Sequence, residues 1–418
     1  MARILTALAT LRRDTHQHLP AAPDIDQICS QHGHVFRDRF FTPLVTLQFF
    51  CLQILHGNTA MAHLRQLAGI DFVPSSYCDA RARLPLSVFQ SILDWMARSL
   101  PNAVIDTSGK ILSSYRVIVV DAFTFSMPDT PPLREYFGLP PGRKAGISYP
   151  VGKAMALLDY ATGLFTRLLP VPLFTHDMRG VIGLHPELKT GDILLGDTAF
   201  CSFAHMWLLT AQGLHGVFRL HQRRPKTAGR QQWQRPVKVP SWMGAQQFAL
   251  LPEFMDIRVV KHTIVEKGFR TKIVFIATTL LDQAAWPDEK IAQLYGKRWD
   301  IEVCFDHLKT TMKMNVLKCQ TVDGVLKELA VYLMVYNRAR MAMLAAAIKQ
   351  GVEHRRISLI DAVRFLSARM MGLPGVEKLI VNPLRPGRCE PRVQRRRPKS
   401  YPWMTKPRNV LKMALFSG

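Results

Sequence analysis

The chain has 418 residues, 48% of them hydrophobic, with 55 Lys and Arg against 31 Asp and Glu, a formal charge of +24. Such a composition buries a core and excludes global disorder, and at roughly 150 residues per domain the length suits two or three domains. So basic a folded chain calls for a polyanionic partner, most often nucleic acid and less often an anionic membrane, while seven scattered cysteines with no Cys-x-x-Cys pair indicate neither a disulfide framework nor a zinc site and suit a reducing cytoplasm.

The N-terminus places Arg12 and Arg13 where a signal-peptide cleavage site would fall, so none is expected. The apolar stretch 40–55 is broken by Thr42, Pro43, Thr46, Gln48 and Gln53 and is too short and polar to span a bilayer. Helices are predicted over 41–56 and 87–100, punctuated by Gly57-Asn58, Gly69 and Pro74. A further helix starts at Ser75-Ser76-Tyr77 and stops before Pro85. Its Arg81 and Arg83 suit a DNA-facing helix and an ordinary surface helix equally. The histidines at 16, 18, 32 and 34 read as exposed loop residues.

From residue 111 the pattern changes. The β-branched run 115–121 predicts a buried strand ending at Asp121. Segments 153–159 and 164–171 flank Tyr160-Ala161-Thr162-Gly163 and predict a hairpin. A helix over 175–189 leads to a second buried strand, 192–197, ending at Asp197. Strand, hairpin, helix, strand implies a mixed α/β sheet with a helical crossover. Runs 217–221, 254–265 and 272–281 are strand-like and surround a basic loop, which reads as a β-rich insertion. After Pro287 the chain is helical to about 371, with 341–348 and Cys304 read as packing. The last 34 residues contain five Pro and are expected to be extended.

The charge is uneven. Residues 1–221 carry a net +3, whereas 222–240 carry +6 and 385–418 carry +9. Both basic patches interleave Pro and aromatic residues with Arg and Lys. Arg223, Arg224, Lys226, Arg230, Arg395, Arg396 and Arg397 are the expected phosphate contacts, with Trp233, Tyr401 or Trp403 stacking on bases or sugars.

The acidic chemistry lies elsewhere. Carboxylates at the ends of neighbouring buried strands sit at a sheet edge, where open α/β folds place ligands. Asp121 and Asp197, brought together, make a hard oxygen site for Mg²⁺ or Mn²⁺. Along 295–309, at about 100° per residue, Tyr295, Arg298, Glu302 and Lys309 fall within an arc of roughly 60°. Leu294, Ile301, Phe305 and Leu308 make an apolar stripe beside them. Glu302 would supply a third carboxylate, with Asp306 its rival on nearly the same face. The polar ridge also suits a plain row of ion pairs, Arg298 with Glu302 first among them.

Tyr295, Arg298, Glu302 and Lys309 fit the pattern Y-x2-R-x3-E-x6-K without deviation. In this the chain resembles the bacterial insertion-sequence DDE transposases of family four. The segments around Asp121 and Asp197, residues 75–85 and the basic tail 395–408 are similar to that family's in the same order, with Ala122 and Ala199 standing where Gly is common. The resemblance implies an RNase H-like core, an α/β fold in which a mixed sheet is flanked by helices and a β-rich insertion precedes the final Glu. It implies that Asp121, Asp197 and Glu302 bind metal, two ions per site, and that Tyr295, Arg298 and Lys309 position DNA-end phosphates. Asp129 matches a family position without an evident role, and Trp299 reads as packing. The chain then divides into a helical DNA-binding region (1–108), the core with both Asp (109–216), the insertion (217–284), the Glu helix (285–345) and a helical C-terminus with basic tail (346–418). The implied activity is cleavage at element ends and strand transfer into target DNA, by a DNA-bound homodimer with no membrane association. A catalytically inactive DNA-binding derivative and a metal-dependent nuclease are the alternatives.

Overall fold

The run Val117-Ile118-Val119-Val120 is buried throughout, as befits a strand inside a sheet covered on both faces. It opens β1 (Val117–Ser126). β2 (Val151–Asp159) and β3 (Phe165–Pro172) form the predicted hairpin, β2 lying antiparallel to β1. On the other side of β1, β4 (Ile193–Gly196) and β5 (His215–Arg219) run parallel to it. β6 (Gly229–Gln234), β7 (Phe254–Thr263) and β8 (Ile273–Thr278) extend the same sheet antiparallel, β8 pairing with β5. The result is one eight-stranded mixed sheet in the order β3-β2-β1-β4-β5-β8-β7-β6. Its first five strands have the expected RNase H-like arrangement.

The computed structural model describes residues 20, 22–37, 39–98, 115–140, 148–264, 273–371, 373, 376, 378–384, 409, 410, 413 and 414. Arg395, Arg396, Arg397, Tyr401 and Trp403 lie outside them. Of the last 34 residues, the described 409, 410, 413 and 414 are helical where extended chain was expected.

One departure concerns the β-rich segment. β6 lies within the basic stretch read as a loop; its own residues carry no apolar alternation, and pairing with β7 makes the strand. The strands of this segment continue the main sheet, β8 hydrogen-bonding to β5.

Helices α1 (Ala22–Gln31), α2 (Pro43–Leu55), α3 (Leu64–Ala68), α4 (Pro74–Arg83) and α5 (Leu86–Arg98) precede the sheet, and α6 (Pro131–Phe137) follows β1. α7 (Asp177–Ile182) and α8 (Phe203–Ala211) cross one face, and α9 (Ala245–Ala249) lies between β6 and β7. α10 (Asp288–Gly296), α11 (Trp299–Asp306), α12 (Val322–Gln350) and α13 (Leu359–Met370) close the other face. α12, 29 residues long, starts at a Thr321 cap and ends at Gly351 with φ +62°, which favours glycine. α2, α5, α13 and β3 all pack against it. One apolar cluster therefore joins Phe50 and Phe89 of the N-terminal helices to Phe123 and Phe165 of the sheet and Phe305 of α11. A second, holding Val120, Phe200, Phe203 and Phe218, fills the opposite face.

The polar breaks in 40–55 are accounted for by this packing. Buried Gln53 accepts hydrogen bonds from Tyr77 Oη and Arg81 Nη1, both 3.1 Å, and donates to Asn58 and Thr59. Arg81 is consequently an internal brace, its guanidinium 3.7 Å over the Phe50 ring and donating to Cys319 Sγ. That corrects the DNA-facing reading of Arg81, while Arg83 stays exposed. Among the described residues no helix is long and apolar enough to cross a membrane, and the described cysteines are free.

Candidate active site

Asp121 does not end its strand. β1 runs on to Ser126 because β2 keeps pairing with it, Asp121 opposite Ala156. What ends is the parallel pairing: β4 leaves β1 after Val119↔Leu195. Asp121 and Asp197 each follow that last pair by two residues, and the Asp197 charge acts on the Asp121 carboxyl.

Asp197 caps a single 3-10 turn, Thr198–Phe200, its Oδ1 accepting the Ala199 N–H at 2.8 Å. Glycine precedes it for want of room: a Cβ at 196 would lie 2.7 Å from the Phe200 ring and 3.1 Å from Phe218.

Glu302 arrives from the opposite layer on α11. The segment 295–309 is not one straight helix. α10 ends at Gly296, Lys297 and Arg298 turn through i→i+3 bonds, α11 follows, and His307–Thr311 is a π-turn carrying Lys309. Such wide turns recur at functional sites. The predicted stripe of Leu294, Ile301, Phe305 and Leu308 is nonetheless buried against the sheet, with Phe305 against Phe123 at 4.7 Å between ring centroids. Packing therefore overrides ideal helix phase and sets the polar edge of α11 over β1.

Arg298 joins two of the carboxylates, Asp121 and Glu302. Its Nη2 donates to Glu302 Oε1 at 2.9 Å and its Nη1 lies 3.6 Å from Asp121 Oδ2, with only 11% of the side chain exposed. Tyr295, buried behind it, hydrogen-bonds to Arg298, and burial pushes its phenol up. Burial likewise pushes the Asp121 carboxyl up to about 6; the Asp197 and Glu302 charges act the same way, against the Ala122 N–H and Arg298. Asp121, Glu302, Asp306 and Lys309 line one open cleft of about 590 Å³. Lys153 and Asp177, which sequence reasoning passed over, line it too, paired at 2.7 Å. A lone Lys inside the apolar run of β2 was the available signal.

Could these groups hold a divalent cation? The donors are hard carboxylate oxygens, and mutual repulsion on a half-buried carboxyl is the electrostatic strain that a cation relieves. Among the described residues no three are gathered into a ready-made cage, and Arg298 stands between two of them. The donor set fits, given a shift of the Arg298 side chain.

The other predicted residues fall apart from this centre. Arg223, Lys226 and Arg230 are exposed, Arg230 paired with Asp256 at 2.6 Å. Trp233 is only 3% exposed, because pairing with β7 turns it into the core with Ile257 and Met243; Arg224 lies 4.2 Å over its ring. The indole is therefore covered where stacking on bases was expected. Trp299, read as packing, is instead 38% exposed, beside the Arg298 guanidinium. Asp129 pairs with Arg134 at 3.1 Å.

A family model described as "Transposase DDE domain" matches residues 112–338. The chain is 27% identical to the transposase InsG for insertion sequence element IS4 from Escherichia coli K12, over 158 residues making up 34% of this chain. It spans about a third of that relative, 35% of its length. Among solved structures it is similar to a piggyBac transposase in a cryo-EM synaptic complex with hairpin DNA: 9% identity, TM-score 0.44, 87% of this chain and 80% of that one. With its matched segment running from before β1 to just past the middle of α12, and so covering both Asp and the Glu302 helix, the chain belongs to the DDE transposase domain family.

Proposed function

We propose that the chain is an insertion-sequence transposase, cutting DNA at element ends and joining the freed 3′ end to target DNA. The observation that carries this reading is Arg298 pairing with both Asp121 of β1 and Glu302 of the overlying α11 beside an open cleft, with the Asp197 charge near enough to act on the Asp121 carboxyl. Family membership implies divalent metal use. Asp121, Asp197 and Glu302 would hold the cations, two Mg²⁺ (or Mn²⁺) on the two-metal pattern, which when bound would stabilise charge on the attacking and leaving oxygens. The chain's own groups do the rest. Tyr295 packs against Arg298; Arg298, moved off the carboxylates, and Lys309 at the cleft would present cations to phosphate oxygens. No nucleophilic side chain is required, since water and then the 3′-OH attack in line. The basic loop and tail would hold duplex DNA away from the acidic centre, and a DNA-bound homodimer would pair the ends.

The test uses the full chain, Mg²⁺ and duplexes taken from the DNA flanking the coding region. Strand cleavage followed by joining is expected, with Asp121→Asn, Asp197→Asn and Glu302→Gln each abolishing both while end binding persists. Cleavage without joining would favour a plain nuclease, and binding alone a non-catalytic derivative.

A further inference from the structure

Beneath the Asp197 turn lies a pair of histidines that this chemistry does not use. His205, on α8, has no exposed surface, and His185 is 5% exposed. His205 Nδ1 lies 2.7 Å from the Phe200 carbonyl oxygen, the last residue of the turn that begins at Asp197. A carbonyl only accepts, so Nδ1 carries the proton and Nε2 is left as an acceptor. His185 Nε2 lies 3.1 Å from it and must donate. The rings are within 21° of parallel with centroids 5.2 Å apart, an edge-to-edge approach that suits this bond. One observed contact thus fixes both tautomers. Phe218 of β5 packs on His205 at 5.2 Å and is also one of the rings crowding Gly196.

The arrangement is an expensive one. His185 Nδ1 is buried with no partner among the described residues, and a polar atom left so costs more than an apolar side chain of the same shape. Nor do the imidazoles work as acids or bases in the cleft: burial holds His205 near 3 and His185 near 4, neutral at working pH. What they do touch is the far end of the Asp197 turn.

We infer that His205, held by His185, is a positioning residue that fixes the Asp197 turn and thereby aims the Asp197 carboxylate at the site. The inference rests on Asp197 being one of the cation-holding carboxylates. A group hydrogen-bonded directly to a metal ligand typically changes metal affinity by about 10–100-fold when removed; His205 acts less directly, through the Phe200 carbonyl at the far end of the turn, so the low end of that range is expected.

The measurement is Mn²⁺ affinity of the full chain without DNA, by electron paramagnetic resonance, alongside thermal stability. His205→Leu is expected to weaken Mn²⁺ binding about 10-fold. His205→Asn, whose amide can donate where Nδ1 does, should recover most of it even though its melting temperature is lowered. A purely structural pair would lower stability in both variants and leave the affinity of the folded protein alone. If His205→Leu does not fold, His185→Phe, which deletes only the outer bond, carries the test with an expected loss of about 3-fold. Asp197→Asn is the control. Unchanged binding there overturns the assignment of Asp197 itself, whereas weakened binding there with unchanged binding in the histidine variants overturns this inference alone.

Discussion

Arg298 reaches from the start of α11 to Asp121 on β1, its Nη1 3.6 Å from the carboxylate while its other terminal nitrogen holds Glu302. A cation so placed lowers the Asp121 pKa, against the upward push of burial. Arg298→Gln should therefore raise the Asp121 pKa further, moving the acid limb of the cleavage pH profile upward by roughly 0.5–1 unit. Arg298→Lys should shift it less. An unmoved limb in both variants would show that the ion pair does not govern Asp121.

Asp121 also predicts an effect on stability. Its folded pKa, about 6, lies above the ordinary 3.8, so between those values the folded state binds the extra proton and stability falls as pH rises. Above pH 6 the buried charge is a standing cost. Asp121→Asn should accordingly stabilise the metal-free protein at pH 7.5 by on the order of 1–3 kcal/mol, and by almost nothing at pH 4. Urea denaturation at the two pH values measures the difference; equal stability at pH 7.5 would mean the carboxylate is better solvated than its burial implies.

Glu302 and Asp306 line the same cleft four residues apart, but only Glu302 is tied to Arg298; Asp306 is exposed and accepts from Thr310 at 2.7 Å. Asp306→Asn should leave cleavage within a few-fold of wild type. A loss matching that of Glu302→Gln would transfer the third carboxylate's role to Asp306.

The basic loop separates into two kinds of residue. Trp233→Ala should cost about 3–5 kcal/mol through lost packing. Arg223→Ala and Lys226→Ala, both exposed, should leave the melting temperature unchanged and each reduce the salt dependence of DNA binding by about one unit of slope. Filter-binding titrations across a salt series would reveal it, and an unaltered slope would remove these residues from the DNA interface.

Gly196→Ala forces a methyl group to within 2.7 Å of Phe200. The turn must move, so a loss of roughly 1–3 kcal/mol is expected, with Asp197 displaced and cleavage impaired. A variant of native stability and activity would mean the Phe200 ring yields freely.

The mixed sheet was legible because its strands announce themselves locally: Val117-Ile118-Val119-Val120 and Ile193-Leu194-Leu195 are apolar without a break, and each is followed within two residues by an acid. The nearness of Asp121 and Asp197 needed only that both strands be parallel neighbours. The stripe through Leu294, Ile301, Phe305 and Leu308 was equally visible, since burial on one face leaves a period. What stayed hidden depends on distant partners. β6 borrows its conformation from β7; the turn at Lys297 and Arg298 and the π-turn at Lys309 are set by docking onto the sheet; Arg81 finds Gln53, Phe50 and Cys319 from different parts of the chain. Lys327, buried on α12, likewise donates to Arg81 O and Ala82 O at 3.3 and 2.9 Å, a link no local pattern encodes.

That packing against α12 has a consequence for modularity. A region that merely carried a DNA-binding function could be exchanged between proteins by cutting the chain at a linker. Here α2 and α5 supply one wall of the core whose other wall holds Phe305, three residues beyond Glu302. Removing the first hundred residues would bare the apolar side of α12 and leave the segment bearing Glu302 without its backing. New DNA specificity in such a chain is therefore open to surface substitution, residue by residue, and closed to wholesale replacement of the N-terminal helices.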